Sequence, residues 1–309
     1  AETGVCCGTT MGESQLLESL NPTLLNGRPE ELDPELASHY SAESMPANVA
    51  REFGFGGPVS MVTTACSAGN YAIGQACDLL RSGRAKTVIA GGSDPFSRIA
   101  FTGFNSMLAV APERCRPFDL HRKGMFVSEG AAMLVLEPLE DAIRRGAKIY
   151  AEVAGCGLSN DAHHMTSPHP QGRGAIAAMT NALREAGLTP ENIDYISAHG
   201  TGTPANDRVE TFAIKSVFGD AARRTPVSSI KSMLGHTMGA ASAIEAAACA
   251  LAIDRGIIPP TINYETPDPA CDLDYVPNQA RAITVRTALS NAFAFGGNCS
   301  ALILKRCEV

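Results

Sequence analysis

The stretch from Val59 to Gly83 most narrows what this chain can fold into. Val59-Ser-Met-Val-Thr-Thr64 is a short apolar run rich in Val and Thr, Ala65-Cys66-Ser67 are small, and Ala72, Ile73, Ala76, Leu79 and Leu80 share one helix face. The pattern predicts strand, tight turn and helix. A strand of this composition is expected to be covered on both faces. Val227 to Gly256 repeats the order, with a strand, a turn, a small-residue helix and Arg255-Gly256 where the first unit has Arg81-Ser82-Gly83. One turn carries Cys66 and the other His236. Two such units predict a duplicated α/β fold.

The other segments fit that plan. Thr3–Gly8, Lys86–Gly92, Ala132–Glu137, Tyr150–Gly155, Ile193–Ala198, Thr225–Ile230, Leu289–Phe293 and Cys299–Lys305 read as strands. Helices are expected at 48–53, up to Ala147, and over 174–187, 207–218 and 236–255, with a polar excursion containing some helix over 17–46. The 29 glycines suit many strand-to-helix turns, and 309 residues suffice for two halves, 1–148 and 149–309.

Charge and cysteine usage exclude several classes. A net charge of −7 with no long basic run argues against a nucleic-acid binder. No apolar run approaches a membrane span and no signal-peptide order opens the chain, so no membrane association and a cytoplasmic location are expected. The ten cysteines include no Cys-x-x-Cys pair, which fits reduced thiols.

Cys66 at a strand-to-helix turn would have unpaired backbone N–H groups and the positive end of a helix dipole beside its sulfur, and both favour a thiolate. A cysteine between Ala and Ser is also readable as a small buried hydrophobe. His199 and His236 fall at strand exits, where α/β folds place their chemistry, and Lys231 precedes the second by five residues. Cys66, His199 and His236 lack the tight spacing of zinc ligands, and a papain-like hydrolase needs one His and usually an Asn. His163, His164 and His169 share a loop and read better as solvated or backbone-bonded than as metal ligands, so no metal is expected.

Four motifs in order, Thr-Thr-Ala-Cys66-Ser-Ala-Gly, His199-Gly-Thr-Gly-Thr-Pro, Lys231-Ser-Met-Leu-Gly-His236 and Asn291-Ala-Phe293-Ala-Phe295-Gly-Gly297, closely resemble the elongating, Cys-His-His type of β-ketoacyl-acyl carrier protein synthase. Arg116-Pro-Phe-Asp119 with Glu129-Gly130, and Asp161-Ala-His-His-Met-Thr-Ser-Pro168, resemble it too. Initiating synthases carry Asn in place of His236, and thiolases use a second Cys. The resemblance implies a thiolase-like layered αβαβα architecture. The family's first strands and helices precede the element at Thr3, so the first half-sheet is expected to have an open edge.

The resemblance also implies decarboxylative Claisen condensation of malonyl-acyl carrier protein with an acyl chain held as a thioester on Cys66, as in fatty acid chain elongation. His199 and His236 would donate to the enolate oxygen, the N–H groups of Cys66 and Phe295 would hold the oxyanion, and Lys231 with Glu245 would orient the histidines. Thr201, Thr203 and Thr166 would bind the pantetheine arm. Phe293 reads as core or as a substrate-side residue, Phe295 as a gate, and Asp207 as a substrate-side residue or an N-cap. No cofactor is expected, because the substrate carries its own phosphopantetheine. Acyl carrier protein is the expected partner, docked on Arg114 and Lys123 while Arg116 and Arg122 pair internally, and a homodimer is expected across the Val59 strand. The alternatives are a polyketide ketosynthase and a fragment or partner subunit without full activity, although chain-length subunits usually lack the nucleophile.

Overall fold

The computed structural model describes residues 2–308. In its first sheet β1 (Thr3–Gly8) lies between β2 (Val59–Val62) and β3 (Thr87–Asp94), parallel to both, and β4 (Gly130–Leu136) runs antiparallel beside β3. The second sheet has the order β5 (Glu152–Asn160), β11 (Asn298–Lys305), β10 (Thr287–Phe293), β6 (Tyr195–Ser197), β7 (Val227–Ser228). Here β10, β6 and β7 are parallel and β11 is antiparallel to β10. The sequence β2-β1-β3-β4 thus matches β7-β6-β10-β11, which is the duplication. A short hairpin, β8 (Ile257–Ile258) with β9 (Arg281–Ala282), stands apart.

Two helices rich in small residues fill the space between the sheets. α4 (Ala68–Arg81) packs on β1 and β3 and reaches β11, while α10 (Ala241–Arg255) packs on β10 and β4. They meet at backbone distance: a Cβ on Gly69 would stand 2.6 Å from Ala243 N. Ala72, Ile73, Val88 and Ala90 from one half share a core cluster with Tyr195, Ala246, Leu302 and Leu304 from the other. Each large aliphatic side chain there contributes about 1.5–3 kcal/mol by burial.

Outer helices complete the layers. α3 (Ser44–Glu52) covers β1 and β2, and α7 (Arg173–Ala186) with α8 (Pro204–Phe218) covers the second sheet. The architecture is therefore the expected αβαβα. The excursion holds α1 (Ser14–Leu25) and α2 (Pro34–Ser38) before α3. α6 (Leu139–Arg144) joins the halves. α5 (Arg98–Ser106) was not anticipated, although its cap was visible: Ser97 Oγ accepts from Ala100 N at 3.2 Å.

Two expectations need correction. β2 has α3 and α4 packed on it, but it is an edge strand instead of a central one, and Val59 is left 44% exposed. Thr225–Ile230 stays in the sheet for only two residues, because Ser229 N turns to Thr261 Oγ1 (3.0 Å) and the chain leaves into α9 (Lys231–Leu234). The edge along β4 corresponds to the one that β5 occupies in the second sheet. Among the described residues nothing pairs with it, and Ala131, Met133 and Val135 are exposed on β4.

Candidate active site

β2 feeds a single 3-10 turn, Ala65–Ser67, from which α4 departs. Ala65 has φ +50°, a conformation L side chains avoid, and Ser67 Oγ donates to Thr64 O at 2.8 Å to brace the turn. The turn delivers Cys66 to a cavity wall with only 6% of its surface exposed. Burial pushes its thiol up to about 12, against the pull of the Lys231 charge. The start of α4 lies two residues further on, at Ala68.

His199 follows the end of β6, where the chain turns sharply. Gly200 has φ +38°, and a Cβ there would lie 2.5 Å from the Ser229 Cβ. The His199 and Gly200 N–H groups donate to the two carboxylate oxygens of Glu210, each at 2.8 Å. Lys231, 2% exposed, forms an ion pair with buried Glu245, and its Nζ lies 3.5 Å from His199 Nδ1. Burial pushes Glu245 up to about 7, with Lys231 opposing. His236 sits ahead of α10, which starts only at Ala241, and its Nδ1 accepts from Met238 N at 3.2 Å.

The imidazole rings of His199 and His236 meet edge to face with centroids 5.4 Å apart. Burial, then the Lys231 charge, holds both pKa values well below the ordinary histidine range, so both rings are neutral. Each Nδ1 faces a donor, the Lys231 ammonium or the Met238 N–H, so each ring carries its proton on Nε2.

Cys66, His199 and His236 line one cavity of about 500 Å³ together with Thr166, Thr201, Thr203, Phe293 and Phe295. The Thr201 and Thr203 hydroxyls are 2.9 Å apart. The Phe295 ring packs on Phe104 at 5.6 Å, and the Phe293 ring lies 5.8 Å from His199. Among the described residues the Phe295 N–H has no acceptor, while the next amide, Gly296, donates to Met165 O at 2.7 Å.

Asp207 does not join this wall. It is buried behind it, accepting from Phe118 N (2.7 Å) and Gly202 N (3.1 Å) beside Arg122, and the N-cap of α8 is Thr203. Both readings of Asp207 are thereby replaced: it braces the Gly202 turn from within. Arg122 is buried against Asp268 (2.5 Å), and Arg116 pairs with Glu265 (3.0 Å). Arg114 is exposed but shares Glu265 at 3.3 Å, whereas Lys123 is exposed with no ion pair among the described residues. In the histidine loop, His164 Nδ1 accepts from Thr166 N (3.1 Å) and His169 Nδ1 from Gln171 N (3.1 Å), so both are bonded to backbone.

Sequence reasoning missed Glu210, which burial pushes up to about 7 and which holds the His199 turn from three residues beyond Asp207. No local signal marked it, because an acidic residue inside a helix ordinarily faces water.

Residues 1–142 match the family model for the beta-ketoacyl synthase N-terminal domain and residues 150–265 that for the C-terminal domain. The 3-oxoacyl-[acyl-carrier-protein] synthase 2 of Synechocystis sp. is 45% identical over 312 residues, covering 99% of this chain and 75% of that protein. Among solved structures, the ishigamide ketosynthase/chain length factor superposes with a TM-score of 0.95 at 46% identity, over 99% of this chain and 76% of that one. A type II PKS acyl-carrier protein in complex with its ketosynthase bound to the hexaketide gives 0.95 at 36% identity, over 99% and 78%.

Proposed function

Because the chain belongs to the β-ketoacyl synthase family of acyltransferase-type condensing enzymes, we propose that it lengthens an acyl chain held on Cys66 by two carbons taken from malonyl-acyl carrier protein. The observation that supports this most is the meeting, in one cavity, of a buried thiol with two neutral histidines that both carry hydrogen on Nε2.

In the first step the Cys66 sulfur replaces the carrier thiol at the acyl carbonyl, and the thiol proton leaves with the carrier. The N–H groups of Cys66 and Phe295 hold the developing oxyanion. Malonyl-carrier then enters with its pantetheine arm along the Thr166, Thr201 and Thr203 hydroxyls. Its C–C bond to the carboxylate breaks, CO₂ departs and the electron pair passes to the thioester oxygen, which receives hydrogen bonds from His199 and His236. The enolate carbon attacks the acyl-Cys66 carbonyl, and the Cys66 thiolate leaves and takes up a proton. Lys231 orients His199 through Nδ1. Its pairing with Glu245 argues against service as a base. Phe295 gates the cavity, and Phe293 packs on the core with its ring at the cavity wall beside His199. The carrier supplies the phosphopantetheine, so the chemistry needs no other cofactor.

Fatty acid elongation is the first reading. A polyketide pathway is the second, favoured by the likeness to a ketosynthase solved with a hexaketide. We place the protein in the cytoplasm: its ten cysteines are free, and no helix among the described residues is long and apolar enough to cross a membrane. Assembly through the β2 edge is part of the proposal, because this apolar strand ends the sheet with Val59 uncovered. A second copy of this chain is the expected occupant. The protein given acyl-carrier and malonyl-carrier should release CO₂ and a chain two carbons longer, and should sediment as a dimer. No extended product would overturn the activity, and an active monomer at micromolar concentration would overturn the assembly.

The carrier is acidic, and so is this protein, so docking needs local positive charge. Lys123 adjoins Gly124 of the cavity wall, and Arg114 lies on the same segment. Arg114→Glu with Lys123→Glu should raise KM for malonyl-carrier by about 3- to 10-fold and flatten its salt dependence, leaving acylation from a small thioester unchanged. Because Glu265 already offsets Arg114, Lys123 should carry the larger share. Normal use of the carrier substrate at low salt would place docking elsewhere.

A further inference from the structure

Asp94 closes β3 and is 1% exposed, yet it touches neither Cys66 nor the histidines in any hydrogen bond. Its Oδ1 accepts from Thr9 Oγ1 (2.6 Å) and Met11 N (2.9 Å), and its Oδ2 from Thr10 N (2.8 Å) and Gly239 N (2.6 Å). Four donors use the capacity of a carboxylate. Three come from the exit of β1 and the fourth from the turn after His236, so this one side chain ties the two halves together beside the site.

The fourth bond bears on catalysis. Met238 sits at φ +52°, a conformation a long L side chain avoids, and it is the N–H of this residue that His236 Nδ1 accepts. The next residue, Gly239, lies against the β1 exit so closely that a Cβ would stand 2.6 Å from Thr10 N and 2.7 Å from Asp94 Oδ2. A strained residue held on one side by an imidazole and on the other by a buried carboxylate is fixed by both.

We propose that Asp94 is a positioning residue for His236: by holding Gly239 N–H it keeps Met238 in its left-handed conformation, which aims the Met238 N–H at Nδ1 and leaves the proton on Nε2 facing the cavity. This rests on the reading of His236 as a donor to the enolate. Asp94→Asn keeps the shape but removes the charge and turns one acceptor into a donor that opposes an N–H. Decarboxylation of malonyl-carrier should fall by about 10- to 100-fold, the scale of a small displacement of a catalytic group, while acylation of Cys66 changes less than about threefold. In a nitrogen-15 histidine spectrum His236 should lose its single Nε2–H tautomer.

Equal losses in both half-reactions, or an unchanged spectrum, would overturn the clamp. If Asp94→Asn does not fold, Thr9→Val, which removes one bond to the same carboxylate, should show the same split at about 3- to 10-fold, and equal losses there would likewise overturn it. His236→Ala separates the two ideas: if it leaves decarboxylation intact the donor reading fails, and if it removes decarboxylation while Asp94→Asn does not, only the clamp fails.

Discussion

Cys66→Ala is expected to abolish condensation while malonyl-carrier decarboxylation stays measurable. The sulfur is the only atom the substitution removes. It stands on the cavity wall, so the cost to folding should be within the usual range of about 0.5–3 kcal/mol. Without it no acyl thioester can form, and covalent catalysis is lost outright. The two histidines, Lys231 and Glu245 keep their contacts with one another, so the enolate can still form and is quenched by a proton instead of an acyl group. Condensation within about tenfold of the parent rate would sink the assignment of the nucleophile.

His199→Ala and His236→Ala are each expected to lower decarboxylation by roughly 10² to 10³, the loss seen when one donor to a developing oxyanion is removed. Acylation of Cys66 should fall much less, because that step draws on the backbone donors. The histidines act as neutral donors whose pKa values lie well below the ordinary range. Their neutral state is therefore complete above that depressed pKa and is lost only as the pH falls through it, so decarboxylation should show no inflection at the ordinary histidine value of about 6.5. A larger loss in acylation than in decarboxylation for both variants would reverse the roles.

The elements that place these residues were legible because each is local: an apolar run, small residues at the turn, then a helix face. Cys66, His199 and His236 each stand where such a run stops, and the repeated unit foretold two matched sheets. What was not legible depends on partners remote in the chain. Asp94 acquires its meaning from Thr9 and Gly239, 85 and 145 residues away. The thiol pKa of Cys66 follows from burial between two halves, which no window around it reveals. Val59 to Val62 has the composition of a central strand and the place of an edge, because composition cannot say how many neighbours a strand has. Asp207 has the look of a cap and serves instead as a buried acceptor for Gly202, one turn removed from the threonines that line the cavity.

The central claim is that the acyl group passes through Cys66. The protein incubated with an acyl-carrier donor, then measured as an intact chain and as peptides, should gain one acyl mass, located on the peptide that holds Cys66 and released by hydroxylamine as a thioester is. An acyl mass on another cysteine, or undiminished condensation with no acyl adduct at Cys66, would contradict the account.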